Sequence, residues 1–433
     1  MTGISGALRK LGDVVGEDHL LTATAAVAPY AVDGQPPLAV AFPGSAEEVA
    51  ALLGAAAEAK LSVMARGAGS HLYLGSPPEP IGLIAVLTRL NQVVEYDAGD
   101  LTVTAQAGMS VGALQGVVGG HGQMFPLDPP GPDSATLGGI VSANLAGPMR
   151  MRHGSARDLV IGMRVALSTG EIIKTGGRTV KNVAGYDLGK LFVGSLGSAG
   201  MILEVTARLT SLPEAEAAMA AALLPQEAAD AAAWVVSSCL EPSACEVLNH
   251  TAVEKLGPAL PVATEPGKQV ILVGLSGEGV AIERQERDIR ARIPSSAWLD
   301  ASVVRDVWRG ARSLAYPGNG AVLLRASVPI SSLHGMVDAV SALDGWTAVA
   351  RAGDGLVFAS PPLEAEPAQV LRHLSTLRSR AASLGGHTVL ESASVEIKRR
   401  FGVWGERANA DLMRELKRSY DPAGILGCGR FGV

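Results

Sequence analysis

A glycine-rich stretch from Arg66 to Gly75, RGAGSHLYLG, has the residue types of an anion-binding loop. It follows the apolar run LSVMAR, which predicts a strand that enters the loop directly. Small residues let successive backbone N–H groups converge on a phosphate, and Arg66 or Ser70 adds a donor. The spacing matches neither GxGxxG, whose glycines open a helix, nor a P-loop, which requires Gly-Lys-Ser/Thr. For this loop alone, pyrophosphate binding and an ordinary tight turn are both open.

Two further clusters join glycines to polar residues. The first, DSATLGGI, starts at Asp133 and continues to Asn144 and Gly147. Its glycine pair leads into a predicted short helix, whose first amides suit an anionic or carbonyl-bearing ligand. The second, residues 181–197, reads KNVAGYDLGKLFVGSLG. Three such loops in one part of the chain predict a large, extended ligand.

The segments around these loops predict short strands and helices. AVAF predicts a strand, and SAEE at residues 45–48 predicts a capping box at the start of a helix. A hairpin is predicted from QVVEYD and LTVTAQAG, and a short helix is predicted at residues 110–120. Three more strands are predicted in LVIGMRVALSTGEIIKT and MILEVTARLTSLP. The composition changes near Pro213, after which helix-like and strand-like segments alternate to about Leu390. A basic, aromatic segment follows.

Length and composition limit the class of protein. A chain of 433 residues exceeds the size at which one core stops growing, so two packed units are expected. The net charge of -6 comes from 36 basic and 42 acidic residues without a polybasic block, which argues against a nucleic-acid partner. The N-terminus lacks a secretory pattern, and polar residues interrupt the apolar span 217–238. A cytoplasmic protein is expected.

The three cysteines are Cys239, Cys245 and Cys428. They have neither CxxC spacing nor the four-thiolate set that an iron–sulfur cluster normally requires. Free thiols are therefore expected. If the protein moves electrons, the next carrier lies on another chain.

The sequence resembles the flavoproteins of the vanillyl-alcohol oxidase and p-cresol methylhydroxylase type, and within them the FAD-binding subunits of bacterial glycolate oxidases. Four ordered blocks carry the resemblance, which covers nearly the whole chain: SAEEVAALLGAAAEAKLSVMARGAGS, ATLGGIVSAN, KNVAGYDLGKLFVGSLGSAGMI and LKRSYDPAGILGCGR. It implies an α+β protein with a PCMH-type FAD-binding domain of two α+β subdomains at residues 1–213. A second α+β domain, a cap like the C-terminal domain of FAD-linked oxidases, would follow at 214–395. A C-terminal segment at 396–433 would return to the first domain.

The resemblance also implies a non-covalent FAD and its binding residues. The glycine loop would hold the pyrophosphate, and the later residues would contact the ribityl chain and the isoalloxazine ring. The set comprises Arg66, Gly67, Ala68, Gly69, Ser70, His71, Asp133, Thr136, Gly138, Gly139, Asn144, Gly147 and Ile202. Some relatives attach the flavin through a histidine that directly follows the second glycine of this loop, where this chain has Ser70. His71 is then a spectator or a hydrogen-bonding imidazole.

Related FAD-dependent 2-hydroxy acid dehydrogenases carry a His-x-Gly-Asp-Gly-Asn-x-His motif, whose histidines bind a divalent metal, and a later Glu-His pair. That last histidine takes the substrate hydroxyl proton. The first motif reads RAGDGLVF here, with Arg351 and Phe358 at the histidine positions, and neither side chain can ligate a metal. At the second, Glu391 is kept but Ser392 replaces the base. The resemblance implies no metal and leaves the catalytic residue unknown.

Arg309, in a predicted helix, and Arg325, in the strand-like AVLLRASVP, stand where relatives place basic residues that bind the substrate carboxylate. Bidentate guanidinium groups suit that task. Ordinary salt bridges are the open alternative for both arginines.

The function that the resemblance implies is that of an FAD-binding subunit in a complex that oxidises glycolate, or D-lactate, to the 2-oxo acid. A sister FAD-containing catalytic subunit would oxidise this small 2-hydroxy acid, and an iron–sulfur subunit would accept the electrons. Any membrane contact would be peripheral, at the inner face and through these partners. A stand-alone FAD-dependent 2-hydroxy acid dehydrogenase and a non-catalytic scaffold are the alternatives.

Overall fold

The computed structural model describes residues 2–131, 133–177, 187–316, 318 and 320–432. The chain forms two compact units. Unit 1 comprises Met1–Leu145, Ser155–Ser211 and Glu406–Val433, and unit 2 comprises Ala146–Gly154 and Leu212–Gly405. The KNVAGY part of the third glycine cluster, residues 181–186, lies outside the described residues.

Helices and strands are numbered in chain order. The helices are α1 Thr2–Val15, α2 Thr24–Val27, α3 Ala46–Glu58, α4 Val111–Gly119, α5 Leu137–Ala143, α6 Arg150–His153, α7 Ala156–Leu159, α8 Gly189–Phe192, α9 Pro225–Ser237, α10 His250–Leu256, α11 Gly279–Arg292, α12 Ala301–Ala315, α13 Leu333–Ser341, α14 Pro367–Ser383, α15 Val395–Phe401 and α16 Ala410–Tyr420. The strands are β1 Leu20–Leu21, β2 Ala39–Ala41, β3 Val63–Arg66, β4 Leu83–Val86, β5 Val93–Asp97, β6 Thr102–Gln106, β7 Gln123–Met124, β8 Val160–Ala166, β9 Ile172–Gly176, β10 Met201–Arg208, β11 Thr210–Ser211, β12 Ala215–Leu223, β13 Ala244–Asn249, β14 Gln269–Gly277, β15 Ala297–Leu299, β16 Leu323–Ser327, β17 Thr347–Arg351, β18 Leu356–Ser360 and β19 His387–Ser392.

Unit 1 contains a four-stranded sheet in the order β1-β2-β4-β3, in which β2, β3 and β4 are parallel. Parallel neighbours need a long crossover connection. Residues 67–82 supply it between β3 and β4, so the glycine loop is the first part of this crossover. A ligand at the carboxyl end of β3 would meet the loop directly.

A five-stranded antiparallel sheet in the order β5-β6-β10-β8-β9 forms the other part of unit 1. The predicted hairpin is confirmed, since β5 and β6 pair antiparallel across the turn at residues 98–101. The strands predicted in LVIGMRVALSTGEIIKT and MILEVTARLTSLP are confirmed as β8, β9 and β10. Together with the first sheet, they give unit 1 two α+β halves.

Helix α3 begins where the sequence predicts, but its capping differs in detail. The Ser45 Oγ accepts a hydrogen bond from the Glu48 amide at 3.1 Å. The Glu48 carboxylate accepts from the Gly44 amide at 2.7 Å, one residue earlier than in a reciprocal box. Buried Val49, Leu52, Leu53 and Ala56, spaced at helical periodicity, join the unit 1 core.

Unit 2 is built on one antiparallel sheet of eight strands in the order β15-β12-β14-β13-β17-β18-β16-β19. Both faces of this sheet are buried. Along β14, Val270 and Leu272 pack in one apolar cluster, while Ile271, Val273 and Leu275 pack in a second one. Burial on both sides explains why this strand reads as a continuous apolar run rather than an alternation.

The apolar span 217–238 is divided between strand β12 and helix α9, and Pro225 is the first residue of α9. Proline suits the first helical position because no hydrogen bond to its nitrogen is required there. Among the helices that the structure describes, none combines the length and apolar character needed to cross a membrane.

Candidate functional site

The glycine loop begins at the end of β3 and lines a cavity in unit 1. Within the described chain, the amides of Gly67, Ala68, Gly69 and Ser70 donate no backbone hydrogen bond. Gly69 has a φ of 87°, which an L side chain rarely adopts. A run of backbone donors without backbone acceptors beside a cavity is suited to a multiply charged anion.

The opposite wall of this cavity is helix α5 with its N-cap, Thr136. An ideal Cβ placed on Gly67 would lie 2.0 Å from the Thr136 Oγ1, so only glycine allows the two walls to approach this closely. We call the space between residues 65–72 and 135–143 the loop cavity. The predicted residues Arg66, Gly67, Ala68, Gly69, Ser70, His71, Thr136 and Gly139 all line it.

Arg66 supplies positive charge to the loop cavity. Its guanidinium carbon lies 4.8 Å from the centre of the Tyr30 ring. Among the residues that the structure describes, no carboxylate forms an ion pair with Arg66 and no hydrogen bond occupies its guanidinium. Burial lowers the pKa of Arg66, and the influence of Tyr30 opposes that shift. The stacked guanidinium therefore keeps its donors available for a ligand.

His71 is a neutral group in this cavity wall near pH 7. Burial lowers the pKa of its imidazole to about 4. The Ser70 Oγ lies 2.9 Å from the His71 Nδ1. With the hydroxyl donating to Nδ1, the ring proton is on Nε2. His71 adds a polar but uncharged edge to the cavity.

A second cavity adjoins the loop cavity and shares Arg66, Gly67, Thr136 and Gly139 with it. The predicted residues Gly138 and Ile202 line this second cavity. Asn144 follows α5 in the left-handed conformation, with a φ of 50°. Asn144 is not among the described residues that line either cavity, but its Oδ1 is buried without a hydrogen-bond partner in the described part of the chain.

One expectation about α5 is wrong. The first amides of this helix were expected to face a ligand, but Leu137 donates to the Met109 carbonyl and Gly138 to the Ala107 carbonyl, at 2.9 and 2.8 Å. These bonds fix the helix beside residues 107–109 and leave two of its first amides occupied. Ligand binding at this wall depends on side chains and on later amides.

The structure does not bring every predicted residue to the loop cavity. Asp133 is exposed and is not among the described residues that line it. Gly147 belongs to unit 2. Sequence reasoning did not single out Ser142 and Arg430, which do line the cavity, and Leu196 of the third glycine cluster lines it as well. The C-terminal block LKRSYDPAGILGCGR carried the only signal for Arg430 in the sequence.

In unit 2 the stretch RAGDGLVF forms the hairpin between β17 and β18. The side chain of Arg351 is only 3% exposed, and its Nε lies 3.5 Å from the Glu246 Oε1. Its Nη1 donates to the Ala146 carbonyl at 2.8 Å, and the guanidinium carbon lies 4.7 Å from the centre of the Phe358 ring. Arg351 is therefore held on several sides within unit 2.

The glycines of this hairpin have a packing role. A Cβ on Gly355, at a φ of 69°, would lie 2.1 Å from the Val328 carbonyl oxygen. Between the glycines, Asp354 lies 3.7 Å from the Arg150 guanidinium. Burial raises the pKa of Asp354, and the charges of Arg150 and Arg351 oppose that shift. Close packing by itself explains why Gly355 is present.

The two arginines predicted to bind a carboxylate differ in their surroundings. Arg325 forms an ion pair with Glu391 and donates to the Ser327 hydroxyl at 3.0 Å. Burial by itself would lower the pKa of Arg325, but the charge and hydrogen bond of Glu391 raise it above its ordinary value. Arg309 pairs with Asp306 one turn away at 2.7 Å, and its side chain is 64% exposed. For Arg309, an ordinary surface salt bridge accounts for the observed contact.

The thiols and the other metal-ligating side chains give no redox or metal centre in the described ranges. Cys239 is exposed, while Cys245 and Cys428 are buried. Burial raises the pKa of the Cys245 thiol to about 12 and also raises that of Cys428. No group of three or more His, Cys, Asp or Glu side chains in those ranges could hold a metal ion.

Known proteins share both the loop region and the fold. Residues 37–176 match the family described as FAD binding domain. Glycolate oxidase subunit GlcD of Bacillus subtilis is 29% identical over 456 residues, which cover 97% of this chain and 95% of that protein. D-lactate dehydrogenase of Archaeoglobus fulgidus is 28% identical over 436 residues, covering 93% and 95%.

A crystal structure of p-cresol methylhydroxylase with substrate bound superposes with a TM-score of 0.77 at 16% identity, covering 100% of this chain and 97% of that one. This likeness confirms the predicted fold class. The protein has an α+β fold of the PCMH type, and residues 37–176 match the FAD binding domain family.

Proposed function

We propose that the protein is an FAD-binding subunit of a glycolate oxidase type complex, in which glycolate or D-lactate is oxidised to the 2-oxo acid. The loop cavity of unit 1 is the observation that carries the proposal. It combines the amides of residues 67–70, which donate no backbone hydrogen bond within the described residues, the guanidinium of Arg66 and a close contact between Gly67 and Thr136. The whole-length similarity to a glycolate oxidase subunit supports the choice of reaction.

The residues present fit FAD. The amides of residues 67–70 and the Arg66 guanidinium would bind the pyrophosphate, since both are donors with vacant capacity beside the same cavity. In the adjoining cavity, Ile202 and the glycine pair at 138–139 would border the ribityl and ring portions. Asn144 directly follows the cavity-lining Ala143, and its buried Oδ1 would accept from an N–H group of the ring. Bound FAD supplies the hydride acceptor for oxidation of a CH–OH group.

Oxidation of the hydroxyl also requires a proton acceptor. The candidate positions in unit 2 hold groups that are already engaged. Arg351 forms an ion pair with Glu246 at 3.5 Å, Glu391 forms one with Arg325, and the Ser392 hydroxyl donates to the Gly318 carbonyl at 3.3 Å. The Glu391 carboxylate is already occupied by a guanidinium, and a neutral serine hydroxyl is a poor proton acceptor. We therefore assign the proton transfer to a sister flavin subunit, and onward electron transfer to an iron–sulfur subunit.

For the substrate carboxylate we propose Arg325 ahead of Arg309. The side chain of Arg325 is one-quarter exposed, and its guanidinium is shared between Glu391 and Ser327. A planar guanidinium can bind a second carboxylate through its remaining donors. Arg309 offers only an exposed pair within its own helix.

A stand-alone 2-hydroxy acid dehydrogenase is the second candidate. Its support is the similarity to a D-lactate dehydrogenase, which extends over 95% of that protein rather than over the FAD-binding part alone. In this case unit 2 itself would supply the proton acceptor.

Purification of the isolated chain separates these functions. A flavin absorbance spectrum, present as purified or after addition of FAD, is expected; its absence would overturn both candidates and leave a scaffold. Anaerobic mixing with glycolate, D-lactate and L-lactate comes next. We expect little bleaching of the flavin by the chain alone, and rapid bleaching would support the stand-alone dehydrogenase.

A further inference from the structure

The C-terminal segment of unit 1 runs beside the strand that leads into the glycine loop. The Val63 amide of β3 donates to the Ile425 carbonyl at 2.6 Å, and the Gly427 amide donates to the Val63 carbonyl at 3.0 Å. The Asp421 carboxylate accepts from the amides of Ile425 and Leu426 at 3.1 and 2.9 Å. These bonds fix the segment immediately before Arg430.

Arg430 then joins three distant parts of unit 1. It is 4% exposed, and its Nη1 donates to the Asp33 Oδ2 at 2.8 Å. Its Nη2 donates to the carbonyl oxygens of Leu72 and Leu74, both in the glycine-loop stretch. The Arg430 carbonyl accepts from the Ser76 amide at 2.9 Å. Side chain and backbone of one residue thus contact the loop on either side of Gly75.

These contacts restrict the loop at its carbonyl groups. A buried carbonyl without a donor is costly, so Leu72 and Leu74 gain from facing Arg430. Each peptide plane is rigid, and fixing the direction of these carbonyls limits the conformations open to the preceding residues. The amides of residues 67–70 belong to that same short stretch and donate no backbone bond within the described chain. An ordered loop presents them at a lower entropy cost at binding.

We propose that Arg430 is a positioning residue for FAD binding, which holds the glycine loop in its ligand-binding shape from a point 358 positions away from Leu72. The inference rests on the proposed function, because it takes FAD as the ligand of the loop cavity. Asp33 compensates the buried charge of Arg430.

The test uses the full chain as apoprotein and measures FAD affinity by quenching of flavin fluorescence. Arg430→Met removes every side-chain bond to the loop, and we expect FAD to bind roughly tenfold more weakly, a change of about 1.4 kcal/mol. This variant also leaves Asp33 buried without its counter-ion, which lowers the thermal midpoint of the apoprotein. Asp33→Asn combined with Arg430→Met removes that charge and should recover much of the midpoint.

The double variant separates an effect on the position of the glycine loop from an effect on the stability of the protein. We expect its FAD affinity to stay near that of Arg430→Met although its stability recovers. Amide hydrogen exchange of residues 67–76 in the apoprotein should increase in both variants. Arg407→Met is the matched control, because Arg407 donates to the carbonyls of Phe431 and Gly432 in the same C-terminal segment, at 2.8 and 3.2 Å, and has no described bond to the loop.

Four outcomes would overturn the inference: wild-type affinity in Arg430→Met, recovery of affinity together with stability in the double variant, or an equal loss in Arg407→Met. The fourth is wild-type hydrogen exchange of residues 67–76 in the Arg430→Met apoprotein, because a loss of affinity would then reflect direct ligand contact by Arg430, which also lines the loop cavity. Each leaves the proposed function intact. Failure of the wild-type chain to bind FAD would overturn the proposed function instead, and with it the premise of this inference.

Discussion

Replacement of Gly69 by alanine tests the loop cavity most directly. Gly69 lies at a φ of 87°, and a Cβ built there would be 2.6 Å from the Arg66 Nη2. The guanidinium is the end of a flexible side chain, so it can move aside. It would then leave its place over Tyr30 and beside the cavity.

The structure separates two costs of Gly69→Ala. The left-handed backbone costs a non-glycine residue about 1–2 kcal/mol. This strain is present with and without FAD, so it lowers the free energy of unfolding but leaves the affinity unchanged. Displacement of Arg66 weakens a charge-assisted hydrogen bond to phosphate, worth about 1.5–3 kcal/mol. We therefore expect the Kd for FAD to rise by roughly 10- to 100-fold.

Gly122→Ala is the matched control in the same unit. Gly122 has a φ of 67°, and no heavy atom lies within 4 Å of a Cβ built on it. It should lose similar stability and keep wild-type FAD affinity. Fluorescence titration of the apoproteins gives the affinities, and chemical denaturation gives the stabilities. The reasoning is refuted if Gly69→Ala binds FAD as tightly as Gly122→Ala. The bulkier Gly69→Val should bind no FAD.

Three further predictions concern charged groups. Arg66→Met removes the guanidinium altogether and should weaken FAD binding by roughly 10- to 100-fold, at least as much as Gly69→Ala. Arg66→Lys should weaken it by less, since the ammonium keeps the charge without the bidentate fork; wild-type affinity of Arg66→Met in a titration would remove Arg66 from the site. The pKa of His71 is about 4 in the folded chain against 6.5 in the unfolded one, so the unfolded chain takes up the proton first as pH falls. Apoprotein stability should thus decline between pH 6.5 and 4 by at most about 3 kcal/mol, and denaturation of His71→Gln should show a flatter pH profile. Arg325→Met should cost up to about 3 kcal/mol of unfolding free energy because it leaves Glu391 buried and unpaired. Arg309→Met should cost less than about 1 kcal/mol, because its ion pair is exposed. Similar losses in the two variants would contradict a buried ion pair at Arg325 and an exposed one at Arg309.

Much of unit 1 follows from local sequence. Helix α3 has a capping serine at position 45 and apolar residues at helical spacing, so its start was predictable to the residue. The hairpin of β5 and β6 was predictable from alternation and a turn. The bond from the Gly44 amide to Glu48 was not, because a carboxylate can reach more than one neighbouring donor. The amides of Leu137 and Gly138 donate to carbonyls of residues 107–109, and no local sequence pattern predicts this contact.

The glycine loop and its place after a strand could be predicted from the residues, whereas the fold class followed from the family resemblance and was confirmed by the comparison with p-cresol methylhydroxylase. Glycine clusters and apolar periodicity reflect interactions over a few residues, so local structure can be predicted from them. Tertiary structure decided which charges meet: Arg325 with Glu391, Arg351 with Glu246, and Arg430 with the loop. These partners are set by strand order and by the return of the C-terminus. A buried guanidinium must find its counter-charge and acceptors wherever the fold brings them, which the linear pattern does not specify.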